Sequence, residues 1–328
     1  MKAVVCNRLG DPSVLEIEER PGRPAGPGEV RVKLHAAALN FPDILMISGG
    51  YQVKPALPFI PGIEAAGEIV ETGEGVSGWK TGDRVIVTGA GDPLGLFAEE
   101  VTCPVSALNA IPKGMSFAEA SGYLATYATS YHALVDRGRL RAGETLVVHG
   151  ATGGVGTAAV QIGKHLGATV IATGGDDGKL EAVKAMGADH VVNYAREDIR
   201  ERVKELTGGR GANVVYDPVG GAAFEASMRS IALEGRILII GATSGTYAPA
   251  KTNHILIKEL EVIGVLHGNW RDRHPDRFAE NMRVLGEWYE AGHIKPHVGR
   301  TYPLEKAADA LVALANREIV GKCVLTID

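Results

Sequence analysis

The chain has 328 residues, of which 45% are hydrophobic and 22% charged, with a net charge of -5 and a pI of about 6.1. That length suggests two domains, and the mildly acidic balance, with no basic block or arm, excludes the usual nucleic-acid-binding composition. Only three cysteines occur, Cys6, Cys103 and Cys323, none in a C-x-x-C pair, which excludes a disulfide framework and a four-cysteine zinc site. Each is expected to be a small buried apolar residue. No apolar run approaches the ~20 residues of a membrane span. The N-terminal stretch turns polar after Cys6 without a hydrophobic leader, so a reducing cytoplasm is the expected location.

In chain order, residues 1 to about 120 read as short strands punctuated by glycine and proline. The segments 29–34, 66–70 and 83–87 carry the pattern, separated by turns such as Pro27-Gly28, Pro61-Gly62 and Thr81-Gly82-Asp83. An all-β, barrel-like domain is expected over 1–122. The texture changes near Ser116, which with Glu119 forms a capping box. Strands are then predicted at 145–149, 169–173, 190–192, 213–216, 236–240 and 261–265, with helices such as 155–166 and 179–186 between them. That alternation predicts a doubly wound parallel sheet over 123–265. Amphipathic helices at 275–291 and 304–315 and a last strand at 322–327 are expected to return over 266–328 to the first domain.

The most informative segment is His149-Gly150-Ala151-Thr152-Gly153-Gly154-Val155-Gly156, between a β-branched strand and a helix of small residues. That is the context of a dinucleotide fingerprint. Gly153 lets the backbone approach a pyrophosphate, Gly156 lets the helix pack on the strand, and the helix N-terminus faces the phosphates. Ala151 stands where the first glycine of G-x-G-x-x-G is usual. The second strand ends at Thr173-Gly174-Gly175, without the acidic residue that grips a ribose 2′-OH. Lys179 follows and is suited to a 2′-phosphate, whereas Asp176 or Asp177 bending back would suit a 2′-OH. The balance favours NADPH. The loop Gly241-Ala242-Thr243, after the strand ending at Ile240, is expected to line the cofactor crevice.

Three stretches, Pro61-Gly62-Ile63-Glu64-Ala65-Ala66-Gly67, Gly82-Asp83-Arg84-Val85 and the glycine turn itself, resemble the medium-chain dehydrogenase/reductase pattern in order and spacing. The resemblance implies a Rossmann sheet inserted in a GroES-like β-barrel domain. The zinc alcohol dehydrogenases of that superfamily have a histidine ligand at the position of Ile63 and a cysteine ligand at that of Asn40. Neither is present, so no metal is expected. Ala38-Leu39-Asn40-Phe41-Pro42-Asp43 is instead similar to the zinc-independent quinone oxidoreductase (zeta-crystallin-like) branch. So are Thr129, Val192-Asn193-Tyr194, Val215-Tyr216-Asp217-Pro218-Val219-Gly220 and Gly321-Lys322-Cys323-Val324-Leu325. The branch implies that Lys179, Tyr194 and Arg317 surround the adenosine phosphate, that Leu266-His267-Gly268 lies near the nicotinamide, and that Lys322 belongs to the cofactor-binding set. It also implies a homodimer, with the strand 261–265 as its edge. One departure is Leu45, where the branch often has an aromatic residue. The spaced pair His293 and His297 is interrupted by Pro296 and is not read as a metal site.

Without zinc there is no strong Lewis acid to ionise an alcohol. A conjugated acceptor needs only position and hydrogen-bond donors. Asn40 and Thr129 are therefore expected to place nicotinamide and acceptor, Tyr51 to donate to the acceptor oxygen or to line the pocket, and Asp43 to act as an orienting acceptor near the cleft. Three readings stay open: an NADPH-dependent quinone reductase, an enone, 2-alkenal or enoyl-thioester reductase on the same scaffold, and an NADPH-binding crystallin-like or RNA-binding protein with little turnover. A small-molecule partner is expected, and neither nucleic acid nor membrane.

Overall fold

The computed structural model describes residues 1–89 and 95–328 and divides into two units, Met1–Ala125 with Pro296–Asp328, and Thr126–Lys295. In chain order its strands are β1 (Lys2–Cys6), β2 (Leu15–Glu19), β3 (Glu29–Ala38), β4 (Glu64–Thr72), β5 (Arg84–Thr88), β6 (Glu100–Pro104) and β7 (Leu108–Ala110). Then come β8 (Thr145–Val148), β9 (Thr169–Gly174), β10 (His190–Asn193), β11 (Ala212–Asp217), β12 (Ile231–Ile239) and β13 (Glu261–Gly264), and finally β14 (Val298–Pro303) and β15 (Lys322–Thr326).

The first unit is built on one sheet in the order β14-β15-β3-β4-β5-β7, with β6 also paired to β3. β3 shows why: Val30, Val32 and Leu34 are buried while Arg31 and Lys33 between them are not, the period-two pattern of a strand with one wet face. β15 runs antiparallel to β3 with Val324 opposite Ala38, so the last strand of the chain joins the sheet of the N-terminal segment, while β1 and β2 pair in a sheet of their own. The core joins Val30, Val32, Leu34, Ile69 and Phe97 to Leu311, Cys323 and Leu325. All three cysteines are buried, and burial pushes each thiol up. Ser116 and Glu119 form the reciprocal cap at the start of the helix Phe117–Ser121.

The second unit holds six parallel strands in the order β10-β9-β8-β11-β12-β13. Counted from β8 as the first, this is the 3-2-1-4-5-6 order of a dinucleotide-binding sheet. Its core packs Val147, Ile171, Val192, Val215 and Ile237 against helix residues Val203, Phe224 and Met228.

The units corrected the expected return at residue 266. The helices His267–Arg273 and Pro275–Glu290 belong to the Thr126–Lys295 unit. Asn281 Nδ2 donates to Asp136 Oδ2 at 2.8 Å, and Trp288 packs on Tyr131 and His165. Gln161 brackets Lys295, accepting from its N–H at 2.7 Å and donating to its C=O at 3.0 Å. An amphipathic pattern says that a helix has a buried face, not which domain that face meets. Likewise the first crossing falls after Ala125 rather than after 122. Among the described residues, no helix is long and apolar enough to cross a membrane.

Candidate functional site

In the first unit, Asn40 stands at the end of β3 and caps the short helix Phe41–Ile47. Its side chain is fully engaged. Oδ1 accepts from Lys322 Nζ at 2.7 Å, while Nδ2 donates to Glu64 Oε1 at 3.0 Å and to Ala38 O at 3.2 Å. The ammonium on one side and the carboxylate on the other fix which way the amide points. Lys322 also donates to Glu64 Oε1 at 2.9 Å and to Leu39 O at 2.8 Å. The side chains of Lys322 and Glu64 are only 7% and 1% exposed. Glu64 Oε2 accepts the Ala125 N–H at 3.0 Å, so both oxygens of the buried carboxylate have a donor.

This arrangement changes the expected role of Lys322. An ammonium has three donors, and all three are spent on Leu39, Asn40 and Glu64. Lys322 therefore holds Asn40 and has no donor left for a cofactor. Asn40 in turn spends both of its side-chain N–H groups on Glu64 and Ala38.

Asp43, three residues on, is completely buried. Its Oδ2 accepts the Asn40 N–H at 2.7 Å, and its Oδ1 makes no well-formed hydrogen bond. Burial pushes the carboxyl up to about 7, with Glu64 pushing the same way and the Asn40 amide, Lys322 and the Gly62 amide opposing. Half-buried Tyr51, whose N–H returns to Leu45 O at 3.1 Å, is raised by burial and by the Asp43 charge. The sign for stability follows. Asp43 holds its proton in the folded state up to about pH 7, whereas the unfolded chain releases it near pH 4. Its contribution to stability therefore falls as pH rises through that window. Asp43→Asn keeps an acceptor for the Asn40 N–H, and is expected to gain stability on the wild type above neutrality by up to about 4 kcal/mol. Melting curves of both from acid to neutral pH check this, and parallel curves would contradict it.

In the second unit the glycine turn joins β8 to the helix Gly154–His165. Gly150 has φ +55°, a left-handed conformation, and is the residue that turns the chain out of the strand. Ala151 behind it is buried, and its N–H donates to Thr173 O at 3.1 Å. Thr152, Gly153, Gly154 and Val155 are half-exposed at the helix start. A Cβ on Gly153 would meet only Gly150 O, at 3.5 Å, whereas one on Gly156 would lie 2.3 Å from Gly150 O and 2.7 Å from Ala151 Cα. The first glycine leaves room above the turn, and the second allows the helix to touch it.

At the end of β9, Gly174 packs on Leu180 and Thr152, and Gly175 packs under the ring of Tyr194. Lys179 is half-buried beside them on the helix Asp177–Ala185. Asp176 Oδ1 is taken by the Lys179 N–H at 2.9 Å, and Asp177 by Asn193 Nδ2 at 2.8 Å and by Arg196. Both acids that might have served a 2′-OH thus have structural work. Below this corner lies His149, wholly buried. Ser227 Oγ donates to Ala223 O, so it accepts from His149 Nε2 at 2.7 Å, and His149 Nδ1 accepts from Thr173 Oγ1 at 2.9 Å. Burial keeps the imidazole neutral, and the chain of bonds fixes Thr173 before Gly174.

The loop after β12 zips onto the end of β11: Thr243 N–H donates to Pro218 O and Ile240 N–H to Asp217 O, with Gly241 between them. Asp217 itself accepts from Val219 and Gly220. Thr129 opens the short helix Thr129–Tyr131, held where Ser130 donates to Val155 O at 3.0 Å. Leu266 is exposed, but His267 is buried among His132, Trp270 and Phe278, and burial with neighbouring positive charge depresses it to about 3. Arg317 is exposed on the first unit, in a left-handed conformation after the helix Ala307–Ala315.

Comparisons with known proteins agree with this architecture. The alcohol dehydrogenase GroES-like domain model matches residues 26–130, and the zinc-binding dehydrogenase model residues 154–286. A mouse quinone oxidoreductase-like protein 2 is 37% identical over 99% of this chain and 92% of its own. The chain belongs to the quinone oxidoreductase family of medium-chain dehydrogenases/reductases. Among solved structures, Escherichia coli quinone oxidoreductase complexed with NADPH superposes with a TM-score of 0.92 at 30% identity, over 99% of this chain and 100% of that one. A structure described as an NAD-dependent alcohol dehydrogenase gives 0.91 at 35% identity over the whole of both chains.

For this quinone oxidoreductase-family chain, sequence reasoning missed Gly150, Glu64 and His149. Gly150 was legible, since a glycine directly after a strand is the residue best able to turn it. Glu64 and His149 had no local signal, because their roles depend on partners 258 and 78 residues away.

Proposed function

We propose that this oxidoreductase is an NADPH-dependent quinone reductase that works without zinc. The observation that carries the reading is the Asn40–Glu64–Lys322 cluster. A zinc ion needs about three protein ligands, yet here an ammonium sits within 2.9 Å of both Asn40 Oδ1 and Glu64 Oε1, and Ile63 has no donor. These residues do not fit a zinc ion. The residues of the second unit do fit a dinucleotide. Gly153, Gly154, Val155 and Gly156 would hold its pyrophosphate with Ala151 and Thr152 behind them, and Lys179 and Tyr194 its 2′-phosphate corner beside Gly174. Ile240, Gly241, Thr243, Leu266 and Thr129 would line the rest, with His267 as buried support. The named NADPH complex supports the 2′-phosphate, and the NAD-dependent relative marks the alternative. When bound, the cofactor supplies a hydride from nicotinamide C4. The chain's own part is to position the acceptor and to deliver a proton to its oxygen, which we assign to Tyr51. Glu261–Gly264, an edge strand next to exposed Leu256 and Ile257, is the face we assign to a homodimer; wild-type protein sedimenting as a monomer at micromolar concentration would reject it.

The test is NADPH and NADH oxidation against a benzoquinone, an alkenal and an enoyl thioester, with and without a chelator. Chelator-resistant quinone reduction that prefers NADPH is expected. A strong preference for the alkenal or thioester moves the protein to carbon–carbon double-bond reduction, and binding of NADPH without turnover removes the enzyme reading. Lys179→Ala is expected to weaken NADPH by about 10-fold or more with little effect on NADH. Equal weakening of both would remove Lys179 from the phosphate site.

A further inference from the structure

Within the first unit's polar cluster, the two carboxylates are treated very differently. Glu64 is held by Lys322, Asn40 and the Ala125 amide. Asp43 is 0% exposed, accepts one strong hydrogen bond from the Asn40 N–H, and leaves Oδ1 without a well-formed partner. Lys322 lies near enough to act on it through charge, but spends its three donors elsewhere. A buried carboxylate oxygen with no donor is costly, and the cost disappears if the group keeps its proton. The groups facing it are Lys322 from β15, Glu64 from β4 and the Gly62 amide, and the phenol of Tyr51, whose backbone N–H returns to Leu45 O, lies close enough to feel its charge. The first two carry opposite charges. Tyr51 is only half-buried, whereas Asp43 is enclosed.

We propose that Asp43 is the proton store of the reaction, passing its proton through the Tyr51 hydroxyl to the reduced acceptor, with the Lys322–Glu64 pair keeping the charge around it balanced. This rests on the hydride-transfer reading above. Hydride addition leaves an electron pair, and a negative charge, on the acceptor oxygen. The Tyr51 O–H bond breaks and its proton joins that oxygen. The phenolate so formed takes the Asp43 proton, directly or through one water. Asp43 is left as the carboxylate, and a proton from solvent returns by the same path. One hydride and one proton reduce the acceptor, and the protein ends unchanged. Lys322 and Glu64 are positioning residues in this scheme.

The test pairs two readouts. The first is an NMR titration of the Asp43 carboxyl carbon in cofactor-free protein, assigned with Asp43→Asn, whose midpoint is expected at about 7. Glu64→Gln removes the neighbouring negative charge and should lower that midpoint by about one pH unit. Adding Lys322→Met to Glu64→Gln removes the positive charge as well and should bring it back. The second readout is kcat against pH. Its alkaline limb should follow the same two movements, and Asp43→Asn should lower kcat about 10- to 100-fold, with KM for NADPH unchanged and the limb abolished. A merely structural role would not move the limb in opposite directions. Asp43 titrating as an ordinary carboxylate, or a midpoint indifferent to Glu64→Gln, would overturn the proposal. Wild-type protein that reduces none of the acceptors overturns the hydride-transfer reading and this one with it, and is recognised because no variant is involved.

Discussion

Gly153→Ala is expected to weaken NADPH binding by about 10- to 100-fold and to leave the melting temperature almost unchanged. The methyl group meets nothing in the protein closer than Gly150 O at 3.5 Å, and Gly153 has φ -83°, which alanine adopts without strain. The space it fills is the space above the helix start, where a pyrophosphate would rest on backbone N–H groups. Gly156→Ala should behave in the opposite way. Its Cβ would lie 2.3 Å and 2.7 Å from two backbone atoms that no rotamer change can move aside. Overpacking of that kind costs about 1–3 kcal/mol, which for a domain of this size corresponds to a fall in melting temperature of roughly 3–10 °C. Binding would be lost as a consequence of the displaced helix. Calorimetric titration with NADPH and thermal melting of the two variants separate these effects. A large fall in melting temperature for Gly153→Ala, or none for Gly156→Ala, would show that the turn is not built as described.

The contrast between these two glycines also marks how far the sequence could be read. The glycine turn was legible because its parts are neighbours: strand, tight turn and small-residue helix occupy about twenty consecutive positions, and periodicity exposes them. The doubly wound parallel sheet followed from the same alternation. The barrel strands were found but cut short, β3 by four residues and β4 at both ends. Runs such as Ala36-Ala37-Ala38 are buried on both faces and lose the alternation that marks a strand. The polar cluster around Asn40 was only half legible. Asn40 and Asp43 are near neighbours and were singled out. Their surroundings come from β4 and β15, strands brought together by β3, and no local pattern announces that Lys322 ends beside Asn40. For that reason Lys322 was placed in the cofactor-binding set. A lysine near the chain's end reads as a free charge until its partners are known.

Lys322→Met is expected to be among the most destabilising single changes in the first unit, with a loss of about 3–5 kcal/mol. The apolar stem would be replaced well, since Lys322 already packs tightly over Gly122, whose missing Cβ would lie 2.9 Å from Lys322 Cε. What is lost is the charge. Glu64 would remain 1% exposed with Asn40 Nδ2 and the Ala125 N–H as its donors, and Asn40 Oδ1 and Leu39 O would lose theirs. Against a total stability of typically about 5–15 kcal/mol, that is enough to leave much of the protein unfolded or aggregated. Adding Glu64→Gln removes the stranded charge, and the double variant should recover most of the loss, because neutralising both partners of a buried pair is often close to neutral. Chemical denaturation of the wild type, both single variants and the double variant closes the cycle, and a coupling near zero would mean that the pair is not buried together in solution. Recovery of stability in the double variant is the informative result. A buried ion pair that an apolar or neutral pair can replace at little cost in folding is kept for what it holds in place, and here it holds Asn40 and, through the Asn40 N–H, Asp43.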